Sequence, residues 1–405
     1  MTKSKNLFNA FDNDFMNDPY PTYERLRRED PIHRSIFNTW VITRYADADA
    51  ILKDRRFQVD NLPERLKQKN RYLKEGDLNT LSEVLDKWLF FLEPPDHNRL
   101  KDILTPAFTQ SVVENMRPEI QAIVDALLDK VEQKGEMDII ADFAVPLPAL
   151  VIAKILGLPT EDYEKINKWS SESILVFDQP MSLERYQAQN QIMIESKEYF
   201  LQKIYELKKQ PNDGLISYLV NQQDIEKPPS EIEIVAICIM LNAAAQETTK
   251  GLIGNGILAL LKAPKSLEYL KQNSNDIKNV VEELLRYDPT IQVVNRWATK
   301  DVEISEKIIH SGDVVSIYIG AANRDPKQFT NPDQLDFSRR NRNLAFGSGI
   351  HYCLGLFLAK VEAQIAIKTL IQRLPDIHLG NHKLEWEKPA SIRRLKKLNV
   401  LFSSV

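Results

Sequence analysis

Cysteine is almost missing from this chain, with two residues, Cys238 and Cys353, in 405. They are too few and too far apart for a disulfide framework, which points to a reducing compartment. They also exclude an iron–sulfur cluster, which normally takes four thiolates. His351 and Cys353 supply at most half of a four-ligand zinc site, and no CxxC partner exists. An excess of one charge is missing too: 53 Lys+Arg against 57 Asp+Glu gives a formal net charge of -4, so there is no basic field for nucleic acid. The longest unbroken apolar run, 234–241, falls far short of the ~20 residues of a membrane span. The first residues, MTKSKNLFNAFDNDFMNDPY, lack the apolar core of a signal peptide. A cytoplasmic protein without an anchor is expected.

What is present describes a soluble globular protein, 43% hydrophobic and 27% charged. Chains of this length usually split into domains unless something, such as a cofactor, organises the centre. Helical periodicity dominates, at 23–28, 111–130, 146–156, 188–207, 231–261, 276–287 and 354–374. Strand-like alternation is confined to 39–45, 298–320 and 398–402. The pattern predicts a mainly α fold with a small β lobe near the N-terminus. His33, His310, His378 and His382 stand in polar contexts and read as exposed, structural residues, and Cys238 as a packed core thiol.

The pattern starting at Glu231 is the longest. Ser230 and Glu233 form a capping box before it, and Pro264 stands where it should end. A rod of this length, ~50 Å at ~1.5 Å per residue, crosses a whole domain. In its middle, AAAQETTK places Glu247, Thr248 and Thr249 on an otherwise apolar, small-residue stretch. An acid beside an alcohol is a candidate proton relay. The plainer alternative is a helix emerging into solvent.

The densest stretch is LAFGSGIHYCLG at 344–355, just before a long apolar segment. Gly347 and Gly349 let the loop turn tightly, and a helix start near Leu354 favours an anionic sulfur on Cys353. Three roles are open to this thiol. It could be a nucleophile with His351 as base, an inert buried thiol, or the single axial ligand of a thiolate-ligated haem. A c-type attachment is excluded, since C-x-x-C-H is absent.

The string Phe346-x-x-Gly349-x-His351-x-Cys353-x-Gly355 resembles the cysteine-loop signature of the cytochromes P-450, the haem-thiolate monooxygenases. Other segments resemble the family in the expected order. FLEPPDHNRLKDILTPAFT places His97 and Lys101 as contacts to the haem propionates, with Lys101 where the family has arginine. VPLPALVIAKILGLP is similar to the helix before the substrate lid. AAAQETT is similar to the oxygen-activation motif, with Ala244 and Ala245 against the haem, Ala245 replacing a glycine, and Glu247 and Thr248 as the catalytic pair. EELLRY supplies the ExxR pair Glu283 and Arg286, completed by Arg339, and Arg296 matches a further propionate contact.

The resemblance implies a single P-450 domain over 1–405, with its haem-binding core at about 231–374. It implies haem b with Cys353 as metal ligand, Phe346, His351 and Gly355 around it, and insertion of one oxygen atom from O2. Phe90, Leu241, Ala244, Val293, Val294 and Ile392 would line an apolar substrate pocket. No flavin or nicotinamide motif is fused, so a separate ferredoxin or flavodoxin with its reductase is expected. Arg339, Arg340, Arg342 and Lys360 are candidates for the docking face. The chain looks most like bacterial macrolide and polyketide hydroxylases and is expected to act as a monomer. The alternatives are a fatty-acid or terpenoid hydroxylase, a haem-thiolate enzyme that uses peroxide or rearranges its substrate, and a catalytically silent haem-binding partner protein.

Overall fold

The computed structural model describes residues 8–10, 12–73, 76–177, 181–222, 226–388 and 391–404. Helices dominate, among them α1 (Asp96–Leu104), α2 (Pro146–Leu156), α3 (Tyr163–Ser173), α4 (Leu183–Lys209), α5 (Glu231–Lys262), α6 (Ile277–Tyr287) and α7 (Leu356–Arg373). The capping box at the start of α5 is formed: the Ser230 amide donates to Glu233 Oε2 at 2.8 Å. Pro264 does not merely stop this helix. It opens the next one, Pro264–Gln272, at a position where its missing N–H costs nothing. The periodic stretch at 111–130 is two helices, Gln110–Asn115 and Arg117–Leu128, because Pro118 cannot sit inside a continuous one.

The chain divides into two compact units, each assembled from separate stretches. The first comprises 1–58, 124–144 and 248–405. Its main sheet contains β1 (Ile32–Arg34), β2 (Trp40–Ile42), β3 (Phe57–Gln58), β4 (Val293–Ala298) and β5 (Val314–Tyr318), in the order β1-β2-β5-β4-β3. Val41 pairs in parallel with Ser316, and Val294 antiparallel with Ile317. Ile42, Ile51, Val315, Ile317 and Leu344 form the core behind the sheet. His33, expected at the surface, is 5% exposed on β1, with Nδ1 3.0 Å from Asp30.

Arg393 ties the two ends of this unit's chain together. Its Nη1 and Nη2 donate to the carbonyls of Met16 and Asn17 at 3.1 and 3.0 Å, and Nε bonds Asp288 at 3.1 Å. Its guanidinium lies 3.5 Å over the Trp386 ring. A short strand, Asn399–Leu401, pairs with both Glu136–Asp138 and His378–Leu379.

The second unit comprises 59–123 and 145–247. Here α3 is stitched to the first half of α5 by polar side chains. Asn242 Nδ2 donates to the Ile166 carbonyl at 2.9 Å, and Ser170 Oγ to the Asn242 carbonyl at 3.2 Å. Arg99 on α1 is ion-paired with Glu233. Two segments, Ile139–Leu156 and Glu231–Lys262, are long and apolar enough to cross a membrane, although single polar residues break up their apolar runs. They are 67% and 72% buried inside the protein, so their apolarity serves the core.

Candidate functional site

In the first unit the cysteine loop is built by its own backbone. The Cys353 amide donates to the Phe346 carbonyl at 3.1 Å, the Tyr352 amide to Gly349 at 3.1 Å, and the Gly347 amide to Leu344 at 2.8 Å. Gly347 and Gly349 adopt φ of +71° and +73°, conformations that L side chains resist. A Cβ on Gly349 would also lie 2.4 Å from the Leu52 carbonyl oxygen, so the loop lies directly on that backbone. Cys353 is half-buried, three residues before α7. His351 ends the short turn Gly349–His351, and the Lys360 ammonium lies 5.4 Å from the Phe346 ring centre.

Behind the loop, Glu283, Arg286 and Arg339 are brought together. Arg286 Nη1 donates to the carbonyls of Asn323 and Pro332 at 3.0 and 2.8 Å, and Nη2 to Gln334 at 3.2 Å. Glu283 Oε1 accepts from the Asp336 amide at 2.9 Å and from Arg339 Nε at 3.3 Å. The 323–339 segment is thereby anchored to α6 by charge-assisted bonds. Arg339 is thus half-buried and paired with Glu283, Lys360 is paired with Glu282 at 2.5 Å, and Arg342 bonds Ser348 at 3.1 Å.

Arg296 is buried on β4, its Nη1 donating to the Asn295 carbonyl at 2.8 Å. Val293 and Val294 follow each other on that strand and so face opposite sides. Val293 packs on the cluster of Phe8, Phe15 and Tyr23, and Val294 on the cluster containing Ile42 and Ile317. Ile392 is buried and bridges to Ile291. Thr248 is half-buried on α5, and its carbonyl accepts from Thr290 Oγ1 at 3.0 Å. One turn on, Gly251 gives Thr290 room: a Cβ there would be 2.4 Å from Thr290 Cγ2.

In the second unit, Glu247 is 2% exposed and its Oε1 accepts from Ser171 Oγ of α3 at 3.0 Å. Ala244 and Ala245 are half-buried, and Leu241 is buried on the same helix. His97 is buried on α1, with Nδ1 3.2 Å from Asn98 Oδ1, and Lys101 is half-buried one turn later. Phe90 is 41% exposed and packs edge-on to Phe177, which stacks on Phe91 at 5.7 Å. Ser171 and Thr290 were not singled out from the sequence. Each meets its partner only through tertiary contact, and no local pattern marks it.

The cytochrome P450 family model matches residues 58–379. The chain belongs to the cytochrome P450 family. It is 38% identical to the biotin biosynthesis cytochrome P450 of Bacillus subtilis, over 96% of this chain and 97% of that one. The polyketide biosynthesis cytochrome P450 PksS of the same organism is 37% identical, covering 98% and 99%. Among solved structures, P450BioI in complex with hexadec-9Z-enoic acid ligated acyl carrier protein superposes with a TM-score of 0.88 at 37% identity, covering 96% of this chain and all of that one.

As a cytochrome P450 the protein is a haem-thiolate monooxygenase, binding haem b through a cysteine thiolate. The residues present fit that group. Burial raises the thiol pKa of Cys238, which is fully enclosed and so kept neutral. Cys353 instead is half-buried in the loop that leads into the N-terminus of α7. Beside it, the position of a Cβ on Gly355 has no heavy atom within 4 Å, which leaves a face that a flat ring can approach.

Proposed function

We propose that this cytochrome P450 oxidises an extended hydrophobic acyl chain of the polyketide or fatty-acid class. The observation that carries this reading is the apolar character of the candidate pocket residues of the second unit, where Phe90 stands among its aromatic partners and Leu241 and Ala244 lie on α5. The biosynthetic roles in the relatives' names, biotin and polyketide, support the same class, as does the acyl carrier protein bound to one of them. The reading extends to a cytosolic monomer supplied with electrons by a separate ferredoxin or flavodoxin and its reductase. The interleaving of the two units along the chain supports a single domain over 1–405.

When bound, haem b supplies activation of O2 and insertion of one oxygen atom into the substrate. Cys353 would hold its iron, with the α7 N-terminus favouring the anionic sulfur, and Phe346, under the Lys360 ammonium, would shield that sulfur. In the second unit His97 and Lys101, and in the first Arg296 and His351, would offer charge and hydrogen bonds to its propionates. Glu247 and Thr248 form the acid–alcohol pair that delivers protons, with Glu247 kept from bulk water by its burial. Ala244 and Ala245 keep that part of α5 thin. Glu283, Arg286 and Arg339 hold the 323–339 segment that leads into the cysteine loop.

The test is a spectral titration of the holoenzyme with free hexadec-9Z-enoic acid, the same chain on an acyl carrier protein, and a macrolide. A water-displacement shift of the haem band with at least one acyl ligand, followed by hydroxylated product with a ferredoxin system, is the expected result. The absence of a shift with either acyl ligand overturns the substrate class. Loss of the thiolate-type carbon-monoxide spectrum in Cys353→Ser checks the ligand.

A further inference from the structure

We propose that Ser171 of α3 is a positioning residue for Glu247, holding the acid in both of its protonation states. The inference rests on the proton-delivery reading of Glu247 given above. The Ser171 hydroxyl lies 3.0 Å from Glu247 Oε1 and 3.2 Å from the carbonyl oxygen of Asn167, one turn back on its own helix. A hydroxyl has one proton to donate and two lone pairs to offer. When Glu247 is ionised, Ser171 donates to the carboxylate. When Glu247 is protonated, the acid donates to Ser171 Oγ, and the hydroxyl proton turns to Asn167. The Ser171–Glu247 hydrogen bond is kept in both states, so the acid can give up and regain a proton without changing place.

Two neighbouring contacts hold α3 in register for this. Asn242 Nδ2 bonds the Ile166 carbonyl at 2.9 Å, and Ser170 Oγ bonds the Asn242 carbonyl at 3.2 Å. Gln246 Nε2 in turn donates to Asn242 Oδ1 at 2.5 Å, next to Glu247 in sequence. Ile166, Ser170 and Ser171 therefore bring one stripe of α3 onto the turn of α5 that carries the acid. An alanine at 171 would keep this packing and remove only the hydroxyl.

The experiment is infrared difference spectroscopy of the holoenzyme between acidic and basic solution, with Glu247→Gln identifying the Glu247 carboxyl band by its loss. In Ser171→Ala that band is expected to shift to higher frequency, and in Ser171→Thr to stay in place. Coupling, read as product formed per NADPH with hexadec-9Z-enoic acid as probe, is expected to fall by roughly tenfold in Ser171→Ala. The Ser171→Ala/Glu247→Gln double variant should be no worse than Glu247→Gln alone. A Glu247 band unmoved by Ser171→Ala overturns the proposal, as does additivity of the two substitutions. Wild-type coupling in Glu247→Gln sinks the proton-delivery reading instead, and leaves the hydrogen bond to be judged by the band.

Discussion

The guanidinium of Arg286 meets the carboxylate of Glu283 along both edges, Nε to Oε2 at 2.8 Å and Nη2 to Oε1 at 2.7 Å. Neither side chain is more than 3% exposed. A buried pair of this kind is stabilising only as a pair, because each partner alone is an uncompensated charge.

Glu283→Gln and Arg286→Lys are therefore both expected to destabilise the fold by about 3–5 kcal/mol. Lysine keeps the charge but cannot serve the three carbonyls and the carboxylate that Arg286 bonds at once. Urea unfolding midpoints check this, and a loss under 1 kcal/mol in either variant contradicts it.

Gly251 and Thr290 form a second coupled pair. Gly251→Ala brings a methyl within 2.4 Å of Thr290 Cγ2 and 2.7 Å of Oγ1, with an expected cost of about 1–3 kcal/mol. Thr290→Ser deletes the nearer of these atoms and should recover part of the loss. A double-mutant cycle on thermal stability reads the coupling, and strict additivity would show that the two residues do not touch.

Gly349 and Gly355 should fail differently. Gly349→Ala meets the Leu52 backbone at 2.4 Å with φ at +73°, so the apoprotein itself should lose stability. Gly355→Ala meets no heavy atom within 4 Å, so the apoprotein should keep its melting temperature while haem retention falls. Calorimetry of both apoproteins, with a haem-transfer assay to apomyoglobin, separates the two outcomes.

Glu362, in the middle of α7, is 1% exposed, and its Oε2 has no hydrogen-bond partner among the described residues. Burial pushes its carboxyl pKa up from the ordinary 4.5 to about 8. Between those values the folded state holds a proton that the unfolded state has released, so stability falls as pH rises from 4.5 toward 8. Glu362→Gln should remove that slope, leaving the variant about 1–3 kcal/mol more stable relative to wild type at pH 8 than at pH 5. Denaturant midpoints measured across this range decide it, and parallel curves for the two proteins would refute the assignment.

The helical frame was legible because burial writes its period into long segments. The 146–156 pattern and α2 coincide, and α5 ends one residue beyond its pattern. Strands of two or three residues, such as β1 and β3, are too short to carry an alternation, and both escaped notice. The cysteine loop and the ExxR pair are legible because their residues are close in sequence. Arg339 lies 56 residues from Glu283 and was placed only by the family resemblance. Ser171 lies 76 residues from Glu247 and Thr290 42 from Thr248, and neither is distinguished locally from any other helix or loop hydroxyl. Glu362 carries a local signal, a lone acid in an apolar helix.

The Arg393 clasp sets an order of events during synthesis. Its guanidinium bonds the carbonyl of Asn17, 376 residues earlier in the chain. At about 5–20 residues per second, Asn17 is made roughly 20–75 s before its clasp. Within that interval Phe15 and Tyr23 also wait for Tyr318 and Ala321, the later-made members of their core cluster. The segment around Met16 and Asn17 is thus secured only after Arg393 has been made, and a pause or truncation before that residue would leave it unclasped.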